Sequence, residues 1–113
     1  MKTQSAKAKG RRFQQWVRDI LIEKLDVHPE DIESRSMGAG GEALIMARAA
    51  SEKFRYSIEC KNQESLNIWK AYEQATENSG DYEPVCFIKR NNQKPLVVVD
   101  AEYFVRLHDD KLD

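Results

Sequence analysis

Tyr56-Ser57-Ile58-Glu59-Cys60-Lys61 is the stretch on which the fold of this chain turns. It reads as a short strand. Successive side chains of a strand alternate faces, so Ile58 and Cys60 share one face and Glu59 and Lys61 the other. A carboxylate and an ammonium side by side on one strand suit metal-assisted hydrolysis of a phosphodiester. The plainer reading of the same triplet is a cross-strand ion pair. Just upstream, Gly40-Gly41-Glu42-Ala43-Leu44-Ile45-Met46 reads as a neighbouring strand led in by glycines.

Working outward, Phe13, Trp16, Val17, Ile20, Leu21 and Leu25 recur at three- and four-residue steps and predict a helix from Gly10 to about Asp26. Pro29 enforces its end. Trp16 falls on the apolar stripe and is expected in the core. Strands are expected over 32–37, 42–48 and 54–61, with Gly38-Ala39-Gly40-Gly41 as a turn and Ala49-Ala50-Ser51-Glu52 as a connection. A second helix is expected from Leu66 to Asn78, ended by Gly80. Val85-Cys86-Phe87-Ile88 suits a buried strand, Asn91-Asn92 a turn, and Leu96-Val97-Val98-Val99 a returning strand. Residues 101–107 suggest a last short helix. The order α-β-β-β-α-β-β-α predicts an α/β fold, a small mixed sheet flanked by helices. Residues 1–9 read as a flexible basic arm, 10–108 as a single domain and 109–113 as a frayed end.

At 113 residues, one modest core is what the chain can build. No apolar run approaches the roughly 18–20 residues of a membrane span, and the N-terminus lacks the apolar region of a secretory signal. A cytoplasmic protein without membrane contact is expected. Cys60 and Cys86 both lie in strand-like apolar runs, as reduced core cysteines do. The net charge of −1 conceals an asymmetry. Residues 1–18 carry Lys2, Lys7, Lys9, Arg11, Arg12 and Arg18 and no acid, and the rest of the chain is acidic. A basic segment on an acidic domain suggests a localised polyanion contact; a solvated terminus fits the composition equally well.

The chain also resembles a known family. Ser36-Met37-Gly38-Ala39-Gly40-Gly41-Glu42-Ala43-Leu44 is similar to the glycine turn and Asp-bearing strand of the PD-(D/E)XK nucleases, and Ser57-Ile58-Glu59-Cys60-Lys61-Asn62 to their Glu-x-Lys strand. The block Ile58-Glu59-Cys60-Lys61-Asn62-Gln63-Glu64, with Leu66-Asn67-Ile68-Trp69 and Glu73-Gln74-Ala75, looks like small phage-encoded members. The resemblance runs from Gly10 to about Val99 and implies a restriction-endonuclease-like fold. It implies hydrolysis of DNA with Mg²⁺ or Mn²⁺, in a bacterial host cytoplasm if the chain is phage-encoded. Glu59 would be a metal ligand, the main-chain carbonyl of Cys60 a further oxygen and Glu42 an extra carboxylate nearby. Lys61 would be the catalytic lysine, orienting water or neutralising charge on the phosphate. Gln74 matches a glutamine that often faces the site. Lys9-Gly10 followed by Gln14 resembles the first helix of archaeal-type Holliday-junction resolvases, where a glutamate usually stands in place of Gln14.

Ala43 departs from the pattern, because it stands where the family carries its metal-binding aspartate and a methyl group binds no cation. An engineered, inactivated nuclease and a natural degenerate member that binds DNA without cutting both fit that residue. The expected substrate is branched DNA, cut by a homodimer as a Holliday-junction resolvase would; a nicking or repair-type endonuclease and a non-catalytic DNA-binding protein are the alternatives. Backbone contacts are expected from Lys7, Lys9, Arg11, Arg12, Lys89, Arg90 and Lys94. Trp69 and Tyr72 suit core, a dimer surface or a platform for bases. His28 and His108 read as loop and surface residues.

Overall fold

The computed structural model describes residues 2–36 and 42–109. The glycine turn, 37–41, lies outside them, as do Met1 and residues 110–113. Helix α1 spans Lys2–Leu25, a 3-10 turn Pro29–Asp31, and β1 and β2 cover Ile32–Ser36 and Glu42–Met46. Then come α2 (Arg48–Lys53), β3 (Tyr56–Asn62), α3 (Ile68–Glu77), β4 (Glu83–Lys89), β5 (Leu96–Val98) and α4 (Ala101–Arg106). The strands form one mixed sheet in the order β1-β2-β3-β4-β5. Only β3 and β4 pair in parallel, as expected for strands joined through a helix; the other neighbours are antiparallel. The α/β class read from the sequence is therefore observed.

Besides shifts of one or two residues at strand and helix ends, two segments differ from the sequence reading. The residues read as an arm continue α1, so the helix starts at Lys2 and not at Gly10. Ala, Lys and Gln, which fill this segment, are good helix formers, and one glycine at position 10 costs about 1 kcal/mol, too little to stop a long helix. The connection at 49–52 is helix α2, whose Ala50 and Ser51 are buried. At the other end of α1, Asp26 adopts a left-handed conformation with φ 55° and stops the helix before Pro29 is reached. Lys53 Nζ donates to the Asp26 carbonyl, tying α2 to that turn.

Alternation along the strands gives the sheet two distinct faces. Ile32, Leu44, Ile58, Cys60 and Val85 pack against Phe13, Val17 and Leu21 of α1, and these form the main core. Arg18 fastens the same layer. Its Nε donates to the Ile32 carbonyl at 3.0 Å and its Nη2 to the Pro29 carbonyl at 2.6 Å. Trp16 does not enter the core: it is 44% exposed and stacks on Phe13 with ring centroids 6.1 Å apart. Its step along the helix places it at the margin of the stripe. Trp69 is 83% exposed, so the core reading fails there also.

The opposite face is covered by α3, which is N-capped by the Asn67 side chain accepting from Lys70 N. Ala71 and Ala75 are its buried residues, and such small side chains allow a close approach to β4 and β3. Val99 and Tyr56 pack at the edge of the main core, where Tyr103 of α4 donates its hydroxyl hydrogen to Tyr56 at 2.6 Å.

Candidate functional site

Strand β3 is central in the sheet, with β2 on one side and β4 on the other. Glu59 pairs with Ala43 of β2 and with Cys86 of β4. Paired positions on adjacent strands share a face, so position 43, Glu59 and Cys86 form a row across the sheet, with Lys61 one step further along β3. This is the α3 face. Glu59 is 2% exposed, Lys61 7% and Cys86 0%. Burial, and then the negative charge of Glu59, push the Cys86 thiol up to about 12, while the positive charge of Lys61 pulls the other way. Both charges thus act on one buried thiol. Cys60 and Cys86 are free and buried, as their apolar surroundings suggested.

Helix α3 delivers one polar group to this row. Asn78, its C-cap, donates from Nδ2 to Glu59 Oε1 at 3.2 Å. The Asn78 N–H bonds back to the Gln74 carbonyl, and Ser57 Oγ donates to the Asn78 carbonyl at 3.4 Å. Gln74 lies one turn earlier on the stripe 71, 74, 75 and 78 and is half-buried. Asn78 was not singled out from sequence. Its signal was that three- and four-residue spacing, obscured because it sits where the helix gives way to the Gly80 turn, at φ 57°.

A small hard cation such as Mg²⁺ takes near-octahedral oxygen coordination, with carboxylates supplying the charge. Among the described residues no group of three or more His, Cys, Asp or Glu side chains comes together to hold a metal. Position 42 pairs with Cys60, one register step from the pair formed by position 43 and Glu59. His28 is occupied in accepting from Glu30 N, and His108 is exposed against Phe104.

The basic residues gather elsewhere, at the C-terminal ends of β3 and β4. One groove of about 420 Å³ is lined by Lys9, Arg12, Trp16, Asn62, Lys89 and Asn91, among others. A second, of about 280 Å³, shares Lys89 and adds Arg90 and Lys94. Glu64 bonds the two sides together: it accepts from Asn91 N and lies 3.6 Å from Lys9 Nζ. The Asn91 hydrogen bond, chiefly, and the Lys9 charge hold its carboxyl below the ordinary range. Asn62 Nδ2 donates to the Lys9 carbonyl at 3.4 Å. Lys9 and Arg12 of α1 thus meet Lys89 in one groove, and Arg90 lines the next. Lys7 and Arg11 are exposed on α1 and line neither groove. Arg18 is spent on the 3-10 turn and β1 and leaves the basic set.

The class these features define is an α/β domain with a buried carboxylate–lysine row and a basic groove. Among known proteins, no family model, curated protein or solved structure matches the chain. No helix among the described residues is long and apolar enough to cross a membrane.

Proposed function

We propose that this chain is a DNA-binding domain with the scaffold of a PD-(D/E)XK endonuclease, in which Ala43 stands in place of a metal-binding aspartate. The observation that carries the reading is the register. Ala43 is the direct partner of Glu59, on the face that Lys61 shares. An aspartate at position 43 would put a second carboxylate beside the first. Lys61 would then supply a compact positive charge to a phosphate or orient a water there. The basic grooves would grip the phosphate backbone, and branched DNA is the proposed substrate, because Lys9-Gly10 followed by Gln14 resembles the first helix of Holliday-junction resolvases. A nicking or repair-type endonuclease uses the same groups. A symmetric dimer would cut paired strands; its support is the exposed Leu96 and Val97 on edge strand β5.

A second reading, DNA binding without catalysis, is favoured by the alanine at position 43, a residue type whose methyl group binds no cation. Calorimetry separates the two. Ala43→Asp is expected to raise Mg²⁺ or Mn²⁺ affinity above that of the parent chain, and Glu59→Gln in that background to remove the gain. No gain of metal affinity would leave the non-catalytic reading in place.

A further inference from the structure

The groove between the first half of α1 and the β4–β5 turn carries features that backbone contact alone does not require. Trp16 lies beside Lys9, Arg12 and Lys89 in its lining, and its indole is half-exposed. The ring is braced from behind by Phe13, which is 3% exposed and inclined to it by only 17°. A supported, flat aromatic surface next to three cations is the combination with which proteins hold single-stranded nucleic acid. Asn62, on the same lining, keeps its Oδ1 buried and without a hydrogen-bond partner among the described residues. The groove, of about 420 Å³, has room for a base beside Trp16. Bases inside a duplex are stacked on one another and offer no free face to an indole.

We propose that this groove binds an unpaired DNA strand, with one base stacked on Trp16 and the flanking phosphates held by Lys9, Arg12 and Lys89. The inference rests on the DNA-binding part of the reading above and not on the carboxylate–lysine row, so cleavage and strand binding fail independently. Lys9 is already bonded to Glu64 through its ammonium, and a phosphate would replace that carboxylate as its partner. An unpaired strand of this kind occurs at a branch point or flap.

The chain has two tryptophans, so Trp69→Phe leaves Trp16 as the sole indole reporter. Titrating that protein with an oligothymidylate at low salt is expected to quench its fluorescence. A self-complementary hairpin duplex of equal charge should bind more weakly and quench less. Trp16→Leu keeps an apolar contact with Phe13 and should weaken oligothymidylate binding roughly 5- to 150-fold, read by anisotropy of a labelled strand. It should leave binding of an abasic strand of the same length unchanged. Lys89→Ala should weaken both strands. Matching thermal melts would show that the variants fold. Unquenched Trp16 on binding, equal losses for thymidylate and abasic strands in Trp16→Leu, or no binding at all would each overturn the proposal.

Discussion

Cys86 shows how much one side chain reports on its surroundings. Its thiol is pushed up to about 12 by burial and by Glu59, against an ordinary value of 9.0. Between those two values the unfolded chain gives up the thiol proton while the folded chain keeps it. The stability that Cys86 contributes is therefore complete below about pH 9 and is lost as pH rises toward 12. Tyr103 is shifted upward too, by burial and then by its bond to Tyr56, so the whole protein loses stability over a similar range. The comparison that isolates the thiol is denaturant unfolding of the parent and Cys86→Ala at pH 8 and pH 10. The parent is expected to lose more on going from the lower to the higher pH; equal losses would place Glu59 and Cys86 in a less coupled setting. At this scale the sequence was most readable where alternation governs. Glu59 and Lys61 fall on one face, as period two requires. Asn78 was not readable, because its hydrogen bond to Glu59 depends on where α3 ends against β3, which is a matter of packing.

Helix α1 holds two tasks that its composition merges. The six basic residues of its first 18 positions look alike in the sequence. In the fold Lys9 and Arg12 line a groove, whereas Arg18 holds the carbonyls of Pro29 and Ile32. Hydrogen bonds from a charged donor contribute roughly 1.5–3 kcal/mol each, with exposed ones contributing less. Arg18→Ala is thus expected to destabilise the protein by about 1–3 kcal/mol while leaving DNA affinity at low salt nearly unchanged. Arg12→Ala should do the reverse, with little change in melting temperature and weaker binding. An Arg18 variant that folds normally but loses affinity would return that residue to the binding set. The positive end of the α1 dipole adds to the cations of its first turns, where no acidic residue offsets them. The apolar stripe of α1 was legible, but its margins were not. Phe13 and Trp16 are three residues apart, yet Phe13 is buried and Trp16 is 44% exposed at the margin of the stripe.

Across the whole molecule, the two proposed activities occupy different regions. The carboxylate–lysine row lies under α3, and the cations gather where β3 and β4 end. The α/β class and element order were readable from periodicity; the convergence of residues 9 and 12 with residues 89 and 90 was not, because it joins segments far apart in the chain. If about four of the groove cations each displace a counterion, affinity for single-stranded DNA should fall roughly 50-fold between 50 and 200 mM salt. A flat salt response would mean that the basic groove does not meet the backbone. The central proposal, that position 43 completes a nuclease site with Glu59 and Lys61, is met most directly by one assay. It is cleavage of a labelled four-way junction by Ala43→Asp in Mg²⁺, beside a linear duplex of the same sequence. Cutting that prefers the junction, and that is abolished by Glu59→Gln, is the expected result. No cutting of either DNA by a folded Ala43→Asp protein would contradict it.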